Sequence, residues 1–158
     1  MSSDSVKKRG GVFLVVVDST QEFIAAVDYA SQFANAEDGY VALLHVMEYA
    51  PVSGWQSIEE QVKKETRSQA EIMIWEAAGR VIENTGKIPI VSIEEGDRSD
   101  LIIKTIEDND NIVALVLASA AGSSSTGPLV SYFSGKGLSR LPVPLIIIPD
   151  HLSNSNLP

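Results

Sequence analysis

Five short apolar runs alternate with longer amphipathic stretches. They are "VFLVVV" (Val12–Val17), "YVALLHVM" (Tyr40–Met47), "IPIVSI" (Ile88–Ile93), "NIVALVLA" (Asn111–Ala118) and "VPLIIIP" (Val143–Pro149). Continuous aliphatic and β-branched runs of this length predict strands buried on both faces of a parallel sheet. Between them the period lengthens. Phe23, Val27, Ala30 and Ala34 follow "DSTQEF" at helical spacing, with Ser19 or Thr20 able to cap and Glu22 at the positive end. Asp38-Gly39 closes that helix. Residues 57–84 predict a long helix that turns Ile58, Val62, Met73, Ala77 and Val81 towards the sheet, with a lapse near Thr66 and a stop at Gly86. A short helix from Asp97 or Ser99 to Glu107 buries Leu101, Ile102 and Ile106, and a last helical segment is expected near Leu129–Leu141.

Strands alternating with helices in this way predict an α/β fold: a doubly wound, five-stranded parallel sheet of Rossmann-like type. The 158 residues suit a single domain. We place it at residues 11–149, between a polar tail at 1–10 and a second tail at 150–158. Sheets of this kind bind ligands outside the carboxyl ends of the strands, at the switch point of the strand order. Asp18, Val46, Gly96 and the stretch from Ala118 onwards fall at such ends.

Charge narrows the function. The net charge is −9 and the pI about 4.6, so the basic footprint of a nucleic-acid binder is missing and anionic membranes are disfavoured. There is no cysteine, which removes disulfides and thiolate chemistry. Apolar runs of about six residues are too short for a membrane span, and a cytoplasmic protein is expected. His45 lies within a strand and His151 in a tail, so no Ser–His pair is suggested, and His45 is taken as structural. "GSSSTGP" (122–128) has both glycines of a P-loop but Pro128 in place of its lysine, and Gly122 and Gly127 are too far apart for a nucleophile elbow. The acids and lysine of a phosphorylatable receiver are missing from the strand ends. No catalytic residue and no metal site is assigned.

Four patterns, in this order, resemble the universal stress protein family over residues 11–149. They are "VFLVVVDST", "ALLHV" (Ala42–Val46), "EEGDRSDLIIKTIEDND" and "LPVPLIIIP" (Leu141–Pro149). Members that bind ATP use a loop written G-x-x-G, nine residues, then G-[ST], whose amides and hydroxyl hold the phosphates. Aligned without gaps between strand four and "LPVP", the three glycine positions fall on Ala118, Ala121 and Ser131, and the hydroxyl position on Tyr132. All three glycines are absent. A second register uses Gly122 and Gly135, but it puts Ser125 at the middle glycine and Lys136 at the hydroxyl, and it shortens the helix that follows. The gapless register is preferred. The resemblance also sets Asp18 and Val46 on positions that contact ribose and adenine. Leu117, Ser119 and Gly122 complete the candidate nucleotide-binding set, and Ser119 with Ser123–Thr126 offers hydroxyls to an anion.

The expectation is a non-enzymatic, dimeric stress-response protein that acts through partners, with weak or no ATP binding and no confident cofactor. The alternative is a regulator that binds ATP or AMP through a variant phosphate loop. A nucleotide hydrolase needs a base and a metal site, for which only Asp18 offers a start. The resemblance puts the last strand at a sheet edge, where it has no charged residue from 143 to 149. Such an edge invites a second copy, so Val143, Leu145, Ile146, Ile147 and Ile148 form the expected dimer edge.

Overall fold

A computed structural model of the chain describes residues 10–18, 23–48, 56–119 and 127–152. The elements run β1 (Val12–Val16), α1 (Phe23–Glu37), β2 (Tyr40–Met47), α2 (Gln56–Thr85), β3 (Ile90–Glu95), α3 (Arg98–Glu107), β4 (Ile112–Ser119), α4 (Pro128–Ser134) and β5 (Leu145–Pro149). Short 3-10 turns at Leu138–Arg140 and Asp150–Leu152 flank β5. All neighbouring strands pair parallel, in the order β3-β2-β1-β4-β5. The switch point therefore lies between β1 and β4, as a doubly wound sheet requires.

The aliphatic runs make the central strands because both of their faces are covered. Phe13, Val15, Val41, Leu43 and Val116 pack under α1 and α2, against Ala25, Val27, Ala30, Ile74, Ala77 and Val81. Leu14, Val16, Leu44, Leu115 and Leu117 face the other way, against Ile102, Ile103 and Ile106 of α3 and Val130 and Phe133 of α4. Burying each of the Val, Leu, Ile and Phe side chains is worth about 1.5–3 kcal/mol. A buried carboxylate ties α1 to α2. Asp28 is 0% exposed, and its two oxygens accept from Arg80 Nε at 2.6 Å and Nη2 at 2.8 Å, with Asn84 Nδ2 at 3.1 Å.

Four details depart from the sequence pattern. β3 and β5 begin two residues late, at Ile90 and Leu145, each just after a proline that has no N–H for the ladder. Val143 is thus outside the edge strand; it packs inward beside Leu141 against the α3/α4 cluster. Ile58 and Val62 do not meet the sheet: both are exposed. The buried stripe of α2 is Ala70, Ile74, Ala77, Ala78 and Val81, and carried back at helical spacing it reaches Thr66, Lys63 and Glu59, all polar. The last helical segment is also broken. α4 stops at Ser134, where the amides of Gly135 and Gly137 both donate to Tyr132 O, at 3.2 and 2.9 Å.

Candidate functional site

The carboxyl ends of the central strands come level at the switch point. Continuing the Val16↔Leu44 register by two residues sets Asp18 beside Val46. Continuing Val15↔Val116 by three sets Asp18 beside Ser119. Sequence position alone thus brings Asp18, Val46 and Ser119 into one row across three strands. Strand alternation sets all three on the α3/α4 face, with Leu117, whereas Ala118 faces the other way. Val46 and Leu117 are buried on the α3/α4 side, while Ala118 packs on the α1/α2 side. Ser119 closes β4, opposite Pro149. Ala121 and Gly122, and the hydroxyl run 123–126, lie outside the described residues.

Ser131 and Tyr132 are not part of that row. Both sit inside α4, which begins at Pro128 behind Gly127. Gly127 has φ 91°, a conformation glycine adopts without strain. The Ser131 amide donates to Gly127 O at 3.0 Å, as an ordinary helical bond. Tyr132 is half-buried and stands edge-on to Phe133, with ring centres 5.0 Å apart. A Cβ on Gly137 would fall inside the Tyr132 ring, so the glycine there permits the close approach of ring and backbone. Arg140 Nη1 donates to the Tyr132 hydroxyl at 2.7 Å and Nη2 to Asp100 Oδ1 at 2.8 Å. Its guanidinium is held above its usual pKa, first by the Tyr132 hydrogen bond and then by Asp100. One side chain therefore bridges the connection that follows α4 to the start of α3.

The other strand ends are tied down by polar bonds. His45 is buried, and its Nδ1 lies 2.6 Å from Val17 O. A carbonyl only accepts, so Nδ1 carries a proton. Glu48 Oε1 accepts from the Arg98 amide at 3.0 Å, and the Gly96 amide donates to Met47 O at 3.1 Å. Asp97 caps α3 by accepting from the Asp100 amide at 2.9 Å and the Ser99 hydroxyl at 2.8 Å. These two bonds, the amide first, hold its carboxyl below the usual range. Sequence reasoning missed Arg140, Asp100, Gly137 and the Glu48–Arg98 contact. The Arg140–Asp100 and Glu48–Arg98 contacts join residues 40 and 50 positions apart, Gly137 acts through a ring five residues before it, and only the "GDRSD" cap carried a local signal. Among the described residues no three His, Cys, Asp or Glu side chains gather as metal ligands, and no helix is long and apolar enough to cross a membrane.

The sequence matches the model of the Universal stress protein family over residues 11–149. The chain belongs to this family. Solved universal stress proteins share its fold at low identity. One from Lactobacillus plantarum is 19% identical with a TM-score of 0.74, over 90% of this chain and 99% of that one. A universal stress protein in complex with cAMP is 16% identical with a TM-score of 0.64, over 89% and 97%. One from Archaeoglobus fulgidus in complex with dAMP is 14% identical with a TM-score of 0.60, over 89% and 98%. No curated protein matches significantly.

Proposed function

We propose that this universal stress protein is a non-enzymatic, cytoplasmic homodimer that acts through protein partners and binds ATP weakly or not at all. The observation that carries the reading is the state of Ser131 and Tyr132, on which the gapless register sets the family's last glycine and its hydroxyl residue. The Ser131 amide is committed to α4, and Pro128, the first helical residue, has no amide. The Tyr132 ring is packed on Gly137, and its hydroxyl is engaged by Arg140. A phosphate cradle needs amides and a small hydroxyl turned outwards. The dimer is supported by β5, an edge strand free of charged side chains. Ile146 and Ile148 already pack against the protomer's own α1/α2 cluster, which leaves Ile147, 38% exposed, as the outward side chain of that edge.

The test is titration calorimetry with Mg-ATP. The expected dissociation constant is weaker than about 100 µM, about 5.5 kcal/mol of binding. A low-micromolar constant, about 8 kcal/mol, sinks the reading. A second reading is an adenine-nucleotide regulator with a variant loop. It is favoured by the shared fold of the cAMP and dAMP complexes and by the row of Asp18, Val46 and Ser119 at the switch point. AMP or ATP found by native mass spectrometry on freshly purified protein supports this reading; a clean apo spectrum supports the first.

A further inference from the structure

The solvent face of α2 is apolar where a single-copy helix is polar. Ile72 and Trp75 are each 63% exposed and Ile82 is 43% exposed. With Gly79 they follow one another at spacings of three, four and three. At 100° per residue the four positions fall within about 80° of the helix circumference. That strip points away from the buried stripe of Ala70, Ile74, Ala77, Ala78 and Val81, and its spacing is that of a coiled-coil seam. A Cβ built on Gly79 meets nothing within 4 Å, so the seam carries one large knob and one empty notch. A shallow groove lined by Ser68, Glu71, Ile72 and Glu76 borders the knob.

We propose that this face docks a second copy of the same chain, with the two α2 helices antiparallel. Trp75 of each copy fills the Gly79 notch of the other, and Ile72 lies against Ile82. The argument for a copy rather than a different protein is what the symmetry of the strip brings together. A two-fold contact must be self-complementary. The pairs 72 with 82 and 75 with 79 are both centred on residue 77, so one two-fold axis satisfies both, and each pair sets a side chain against its required opposite. The three-four-three spacing alone fixes that centring; what favours a copy is that it brings the exposed Trp75 knob onto the open Gly79 notch. Antiparallel packing also opposes the two helix dipoles favourably. A membrane is a poor occupant, because Glu71, Glu76 and Glu83 flank the strip.

The contact is small. An aromatic side chain of this size buries roughly 150–250 Å², so the seam and its rim cover about 500 Å² per copy. The total of about 1,000 Å² stands at the threshold for a specific interface and below the standard size, which marks a weak association. The glutamates bring like charges together. Glu71 is partly offset by Arg67, 3.4 Å away on the same helix, and Glu83 by Arg80, whose pKa it helps to raise. Added salt should therefore tighten the pair.

The chain has no cysteine, so single cysteines report the geometry cleanly. Ile72→Cys and Ile82→Cys are purified separately, then mildly oxidised alone and mixed, all in an Ile147→Lys background that disables the β5 edge. α2 packs over β2 and β3, at the other end of the sheet, so the background leaves its outer face intact. The mixture should form an intermolecular disulfide. Each variant alone should not, because identical residues lie ten positions apart along the paired helices, about 15 Å, beyond disulfide reach. Gly79→Leu has room in the protomer and favours helix. It fills the notch, and should cut the yield of the mixture at least about tenfold. Equal cross-linking in each variant alone, no cross-link in the mixture at about 500 µM protein, or full cross-linking with Gly79→Leu overturns the proposal.

Discussion

Removing either partner of the Asp28–Arg80 pair should destabilise the fold, but by unequal amounts. Asp28 is 0% exposed, while the Arg80 side chain is 33% exposed. In Arg80→Leu the carboxylate stays inside the protein without its two shortest hydrogen bonds, a loss of about 3–4 kcal/mol. In Asp28→Leu the guanidinium can turn its head into water, and the loss is nearer about 1–2 kcal/mol. The double variant replaces the pair with apolar volume and should lie within about 1 kcal/mol of wild type. Urea unfolding followed by far-UV circular dichroism reads all four chains. In melting temperature Arg80→Leu should fall by about 6–16 °C, at 2–4 °C per kcal/mol for a chain of this size. If Asp28→Leu costs as much as Arg80→Leu, the reasoning from asymmetric burial is wrong.

Gly137→Ala should cost about 1–3 kcal/mol, because its methyl group displaces the Tyr132 ring, and a melting curve superimposable on wild type contradicts that packing. Asp97→Ala should cost about 1 kcal/mol at pH 7 by removing the α3 cap, while Asp97→Asn keeps it. The Asp97 pKa is lowered in the folded chain, so the charged cap's contribution is present above the unfolded value of about 3.9 and is lost as pH falls through the folded one. The Ala–wild-type gap in melting temperature should narrow below about pH 4, and a gap that widens there has the wrong sign. Ile147→Lys places a charge on the β5 edge and should shift the light-scattering mass towards the 17.0 kDa of one chain; a wild type already monomeric at tens of micromolar, in the usual range of weak dimers, refutes the edge dimer.

The sheet was legible because its central strands β1, β2 and β4 are buried on both faces over most of their length, which makes each a continuous aliphatic word. β2 has the predicted bounds, Tyr40–Met47. The inner face of α2 was harder, because it is built largely of alanine. Ala70, Ala77 and Ala78 are buried but carry little hydrophobic signal, while Ile58, Val62, Ile72 and Trp75 carry more and face outwards. Periodicity read from side-chain size therefore held at Met73, Ala77 and Val81, which pack on the sheet, and failed at Ile58 and Val62. The break after Ser134 depends on a ring packing against Gly137, a contact that glycine spacing alone does not announce. At the candidate site, strand ends sufficed to align Asp18, Val46 and Ser119. The Tyr132–Arg140–Asp100 bridge was invisible, since it joins residues up to 40 positions apart.

The strand order has a consequence for assembly. It sets β5 at one end of the sheet and puts α2 over β2 and β3 at the other. A protomer that pairs through both is bivalent, with two different two-fold axes. Two such axes close a ring of four chains only when they intersect at right angles. Axes that meet at a smaller whole fraction of a half-turn close a larger ring; where the axes do not meet, every added copy exposes a fresh end, and the particles lengthen as the protein is concentrated. The weaker contact then controls the size of the assembly, and salt, by screening the glutamates along α2, would switch the population between pairs and strings.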